Sequence, residues 1–323
     1  MTSDPLSDTL TLVEAVAVTS GGLRAGGVWA LRFPATDRLK FLAVVKGECL
    51  LQFDGEAAPQ TLGEGDVVLL NCPPGFVLSS DLSAPVQKAG DYGPAMRVDN
   101  VATIGDGSEF YAVGGHIDLN DAGKELLLDV LPRSLHVHSD AREAVTIAWL
   151  LEQLVQEKSQ KRAGGRLTCA QLAQLIFVQI LRAHLDRGEA LPLGWLRGLA
   201  DPKIGHALQL IHENPARSWQ LAELARAVGM SRTSFAARFR AVVGATPLGY
   251  LRTWRMRLAE RALRDGRDSI AEIALSLGYT SESAFSTAFK QVIGLAPRNY
   301  RSCHQPVHSS RETSQDIETG GPL

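Results

Sequence analysis

The chain has 323 residues, 45% hydrophobic and 21% charged, with a formal net charge of −2. That length suits two domains, each with its own core. It contains no apolar run of roughly eighteen residues that would span a membrane, and Asp4, Asp8 and Glu14 argue against a secretory leader. Four cysteines, at positions 49, 72, 169 and 303, are too few for a disulfide framework and lack Cys-x-x-Cys spacing, so a reducing, cytoplasmic setting is expected.

Up to about Pro132 the chain alternates short apolar runs with glycine turns. Phe41–Val45, Cys49–Phe53 and Val67–Leu70 are separated by Lys46 and Gly47, by Asp54 and Gly55, and by Gly63, Glu64 and Gly65. This pattern predicts strands of an antiparallel barrel or jelly roll. His116 falls in a strand-like stretch and reads as a wall residue. His136 and His138, two apart on an extended segment, point the same way and are capable of chelating zinc, but no third ligand lies near them in sequence, so no metal is expected.

The period then becomes helical. Ala144, Ile147, Ala148, Leu151, Leu154 and Val155 form one apolar stripe; Leu172, Leu175, Ile176, Gln179 and Ile180 form another. Two helices joined at Gly164 and Gly165 either cover the barrel or make a dimer surface. Leu191–Pro202, with Pro192, Gly194 and Gly198, is the expected linker.

Beyond it a pattern occurs twice. Leu221, Leu224, Ala225, Val228, Gly229, Ser231, Phe235, Phe239, Gly244, Pro247 and Tyr250 are matched by Ile270, Ile273, Ala274, Leu277, Gly278, Ser281, Phe285, Phe289, Gly294, Pro297 and Tyr300. The offset is 49 residues before the turn and 50 after it, so the second turn is one residue longer. Each copy reads as two helices with a glycine ending the first, a serine capping the second and a phenylalanine pair clamping them together. The outer face of the second helix then carries Arg232, Thr233, Ala236, Ala237, Arg238 and Arg240 in the first copy. In the second it carries Glu282, Ser283, Ala284, Ser286, Thr287 and Lys290. Pro247–Asp265 is expected as one connecting helix, with Trp254, Leu258 and Leu263 inward and arginines outward. Residues 201–303 hold fifteen Lys and Arg against eight Asp and Glu, a net of +7, whereas residues 1–200 have a net of −7. A basic helical end of this kind points to a double helix-turn-helix that binds double-stranded DNA.

From Lys203 to about Cys303 the sequence resembles the AraC/XylS family of bacterial transcription regulators. The second copy is the most specific part, with Ile273, Ala274, Gly278, Tyr279, Ser283, Phe285, Phe289, Lys290, Gly294, Pro297, Tyr300 and Arg301 on the family signature. The resemblance implies base reading at Thr233, Ala236 and Ala237 and at Ser283, Ala284 and Thr287. Those small side chains read bases weakly, which leaves Arg232, Arg238, Arg240 and Lys290 for phosphates and part of the specificity for DNA bending. Gly65–Gly75 resembles the second motif of cupins, implying a cupin-like sensing domain. The cupin metal set is absent, because the hairpin Gly47–Gly55 has no histidine and Leu78 stands at the second motif's histidine place.

The expected protein is therefore α+β: a cupin-like jelly-roll sensing domain over 1–138, helical connector 139–190, linker 191–202, all-α double helix-turn-helix domain 203–303 and a disordered tail 304–323. It is expected to be a cytoplasmic transcription regulator and no enzyme, without cofactor or metal. Its expected partners are promoter DNA, a small-molecule effector, a second copy in a homodimer, and RNA polymerase. One alternative is a redox-sensing regulator acting through Cys49 and Cys72; a cupin enzyme with a DNA-binding tail is the last.

Overall fold

The computed structural model describes residues 4–92, 100–160, 162–187 and 191–304. The chain forms two compact units, Met1–Asn214 with Trp219–Leu251, and Pro215–Ser218 with Arg252–Leu323.

The first unit begins with helix α1 (Pro5–Leu12), capped by the Asp4 side chain, and continues into strands β1 (Val16–Ala25), β2 (Ala30–Phe33), β3 (Leu39–Lys46), β4 (Cys49–Phe53), β5 (Gln60–Leu62), β6 (Val67–Asn71), β7 (Phe76–Ser79), β8 (Val86–Lys88), β9 (Val101–Ile104) and β10 (Phe110–Asp118). Helix α2 (Asp121–Leu126) and strand β11 (Ser134–Val137) follow. The strands make two sheets, ordered β11-β6-β3-β10-β1-β9 and β5-β4-β7-β2-β8. In β4 buried and half-buried residues alternate, so Cys49, Leu51 and Phe53 face inward. They share one core with Leu31, Phe76 and Leu78 of their own sheet and with Leu23, Val44, Val68 and Leu70 of the other.

The expected strands Phe41–Val45, Cys49–Phe53 and Val67–Leu70 fall within β3, β4 and β6. The barrel does not close: hydrogen-bonded ladders stay within each sheet, and side-chain burial holds the two together. Fold class is mixed α+β, as the composition and periodicity predicted.

Helices α3 (Ala144–Gln160) and α4 (Gly165–Arg187) pack on each other, and α4 lies against β1, where Gln174 Oε1 accepts from the Ala17 amide at 3.0 Å. The α3 stripe is Ala144, Ile147, Leu150, Leu151 and Leu154; in α4 it is Cys169, Ala173, Ile176, Phe177 and Ile180. Ala148 and Leu175 of the expected stripes are exposed, while Leu150 of α3 and Phe177 of α4 are buried. The stretch 191–202 contains helix α5 (Trp195–Ala200), with Trp195 and Leu196 buried and Trp195 Nε1 donating to the Leu126 carbonyl at 2.6 Å. Helices α6 (Pro202–Glu213), α7 (Leu221–Ala227) and α8 (Arg232–Val243) complete the first unit.

Helix α9 (Pro247–Asp265) leads into the second unit, followed by α10 (Ile270–Ser276), α11 (Glu282–Ile293) and α12 (Pro297–His304). Met256, Ala259 and Leu263 of α9 pack with Ile273, Phe285, Phe289 and Tyr300. The sequence placed the α9 arginines outward. Arg257 is instead buried, bonded to Glu260 at 2.8 Å one turn along, which satisfies both charges inside the helix packing. Leu258 is only half-buried. The tail expected from residue 304 lies outside the described residues, except His304 itself, which ends α12.

Candidate nucleic-acid interface

The two copies of the repeat fold alike, each in its own unit. In the first, the Gln220 amide donates to Glu223 Oε2 at 3.1 Å, fixing the start of α7. Gly229 ends it with φ +65, and the Met230 amide closes a wide turn onto the Ala225 carbonyl at 2.9 Å. Ser231 Oγ then accepts from the Ser234 amide at 3.1 Å and caps α8. In the second copy Ser269 and Glu272 bond reciprocally, Gly278 has φ +79, Tyr279 bonds back to Ala274, and Ser281 Oγ caps α11 through the Ala284 amide at 3.1 Å. Phe235 and Phe239 are fully buried with ring centroids 5.7 Å apart; so are Phe285 and Phe289, also 5.7 Å apart.

With those inner faces committed to packing, the outer faces are open. On α8, Arg232, Thr233, Ala237, Arg238 and Arg240 are exposed and Ala236 is half-buried. On α11, Ser283, Ala284, Thr287 and Lys290 are exposed, while Glu282 and Ser286 are half-buried. Three of these side chains have partners that the sequence did not reveal. Arg238 Nε bonds Asp201 Oδ2 at 2.6 Å, and Asp201 also caps α6 through the Lys203 and Ile204 amides. Glu282 lies 3.7 Å from Arg298, and the Thr287 hydroxyl donates to the Ser283 carbonyl at 3.0 Å. Asp201 sits thirty-seven residues from Arg238, beyond the reach of any helical spacing rule.

The chain matches two family models, a cupin family over residues 4–186 and a helix-turn-helix domain over residues 224–302. It is 44% identical over 299 residues to a protein of Streptomyces lividans named as an AraC-like transcription regulator, covering 92% of this chain and 98% of that one. The chain belongs to the AraC-like transcription regulators. The HTH-type transcriptional regulator AlkR of Acinetobacter baylyi is 30% identical over 288 residues, covering 86% of this chain and 92% of that protein. Among solved structures, the DNA-binding domain of AdpA in complex with a target DNA is 31% identical, with a TM-score of 0.31, covering 32% of this chain and 92% of that one. An AraC-like regulator of this make-up is a transcription regulator that binds DNA through its helix-turn-helix domain.

The cupin half of this AraC-like regulator holds a cavity of about 340 Å³ between the sheets. Leu23, Leu31, Phe41, Leu42, Phe76 and Leu78 line it, together with the half-buried Lys40, whose ammonium is held below its ordinary pKa by burial and then by Arg38. Cys49 is buried in the core, and burial, with Asp66 and Glu48 adding to it, pushes its thiol up to about 12. Oxidation proceeds through the thiolate, which this setting suppresses. Cys72 is exposed, and its thiol donates to the Asp37 carbonyl at 3.2 Å. The redox alternative therefore finds no support.

One further cluster lies in this half. Asp66, His136 and His138 each offer a ligand atom, and the three atoms lie within 4.8 Å of one another. The sequence missed Asp66 as a companion to the histidine pair because it is seventy residues from His136. The β11–β6 pairing, Val137 opposite Val67, brings it there.

No helix among the described residues is long and apolar enough to cross a membrane.

Proposed function

We propose that this regulator reads promoter DNA with the outer faces of α8 and α11. On this reading Arg232, Arg238, Arg240 and Lys290 hold phosphates, while Thr233, Ala236, Ala237, Ser283, Ala284 and Thr287 meet base edges beside Glu282 and Ser286. The observation that carries it is the repeated build of the two copies: each spends its phenylalanine pair on packing and leaves the opposite face of a capped helix exposed and polar. Direct readout by alanine, serine and threonine is modest, so bending energy supplies part of the specificity. Residues 203–303 form the DNA-binding part, 1–138 the sensing part and 139–190 the connector.

The chain acts as a regulator and not as an enzyme, in the cytoplasm, meeting RNA polymerase at the promoter. The cavity between the sheets takes the effector: a small, mainly apolar molecule with one anionic or accepting group for Lys40. A second copy docks on α3, where Val145 and Trp149, one turn apart, are 80% and 57% exposed. An effector that binds one dimer arrangement more tightly than another then shifts DNA affinity.

In vitro selection of DNA by the purified chain tests this. A composite site with one half-motif for each helix-turn-helix copy is the expected outcome. A single short motif would leave one copy a packing element, and no enrichment with or without residues 1–200 would overturn the reading.

A further inference from the structure

We propose that Asp66, His136 and His138 form a zinc site at the start of the helical connector. His136 Nε2 lies 2.9 Å from Asp66 Oδ2, and His138 Nδ1 lies 3.9 Å from the same oxygen. Ligands around tetrahedral zinc at roughly 2.0–2.2 Å stand about 3.4 Å from one another. The two observed separations bracket that spacing, so drawing His138 in and opening the His136–Asp66 pair, by about half an ångström each, brings both imidazoles to ligand spacing from the carboxylate. Two imidazole nitrogens and one carboxylate oxygen suit zinc and similar transition metals, whereas calcium and magnesium prefer oxygen sets. Asp66 and His136 side chains are each 8% exposed, while His138 is 53% exposed, so the site is rigid on one side and open to a water as fourth ligand on the other.

The surrounding shell fits a ligand role. Asp66 Oδ1 accepts from the Ser139 amide at 2.8 Å, and Oδ2 accepts from the Gly63 amide at 3.0 Å, which fix the carboxylate's plane. Gln60 lies 2.5 Å from His136 Nδ1, and its amide oxygen, reached by a flip of the side chain, takes the Nδ1 proton while Nε2 faces the metal. Binding moves the single proton of the neutral His136 ring from Nε2, where it faces Asp66, to Nδ1, so the ring changes tautomer with no net proton released. Arg187 opposes the ion: its guanidinium lies 3.5 Å from the His136 carbonyl, with Asp140 at 3.9 Å partly offsetting it. The metal-free arrangement is already held by the Asp66–His136 bond, so zinc would add the His138 tie rather than build the fold. That tie joins the end of β11, four residues before Arg142 and the approach to α3, to the loop that starts β6.

The inference stands apart from the DNA-binding reading. Tag-free full-length protein, stripped with a chelator and titrated with Zn²⁺ against a chromophoric competitor, tests it. One ion per chain is expected, with Gln60→Ala weakening it roughly 10–100-fold and His138→Ala weakening it at least as much. The control His206→Ala, on the exposed face of α6, should leave it unchanged. Absence of stoichiometric zinc in the wild type, or equal affinity in His138→Ala, overturns the proposal. Should His138→Ala fail to fold, Co²⁺ added to the wild type decides. Intense visible bands of a four-coordinate ion with nitrogen ligands support the site, and the weak spectrum of hydrated cobalt sinks it.

Discussion

Gly229 and Gly278 hold the same place in the two copies, yet substitution at them should not cost the same. Both have positive φ, and an alanine at Gly229 meets nothing within 4 Å, so Gly229→Ala should cost only the left-handed penalty of about 1–2 kcal/mol. At Gly278 a Cβ would sit 1.9 Å from the Ala216 carbonyl oxygen, and the backbone itself must move. Gly278→Ala is therefore expected to exceed about 3 kcal/mol, and denaturant unfolding of the two variants side by side checks the order. The buried pair of Arg257 and Glu260 makes a second residue-level case. Glu260→Ala removes the carboxylate that faces the buried Arg257 guanidinium and should cost about 3–5 kcal/mol, while replacing both residues with apolar ones should recover most of it. His212 makes a third. It is buried between Asp8, 3.3 Å from Nδ1, and the Tyr250 hydroxyl, 2.8 Å from Nε2. Burial lowers its pKa below the ordinary 6.5 and outweighs the opposing pull of Asp8 and Asp4. A depressed imidazole is neutral in the fold, so its contribution is whole above the unfolded pKa and is lost as pH falls below it. The melting temperature should drop on acidification below about 6.5, and His212→Gln should flatten that drop.

At the scale of elements, the helix-turn-helix copies were legible because their signals are local. Glycine stops, serine caps and phenylalanine pairs four residues apart are set by the helix itself, and Ser231, Ser281, Gly229 and Gly278 do what the pattern required. The misreadings come from contacts between distant segments. Alternation within β4 predicts a strand but not whether its sheet closes on the other, and a stretch rich in proline and glycine gave no hint that Trp195 would anchor α5 on Leu126. In the candidate site, helical spacing separated the buried phenylalanines of α8 and α11 from the side chains opposite, although Ala236, Glu282 and Ser286 of the outward set are half-buried. It was blind to Asp201 beside Arg238 and to Asp66 beside the histidines, since strand pairing and helix packing decide both. The exposed pair on α3 yields a prediction at this scale: Trp149→Glu should shift a dimer toward monomer in analytical ultracentrifugation while leaving the fold intact, because the side chain is already in water.

Across the whole molecule, a charge of −2 conceals a basic helical end, and DNA binding should respond to salt accordingly. Each phosphate neutralised contributes a slope of about −0.9 in log K against log salt. Four cations on phosphates would give about −3.6 in fluorescence anisotropy, and an affinity indifferent to salt would remove the phosphate assignments. One detail bears on the affinity itself. Asp201 stands against Arg238 as a phosphate would, so the free protein carries an internal mimic of the DNA backbone. If Arg238 holds a phosphate as proposed, it must first leave Asp201, so the ion pair gained on DNA is offset by the one lost in the protein. Affinity is then lower than four free cations would give, and Asp201→Asn, which keeps an oxygen for the α6 cap, should raise it.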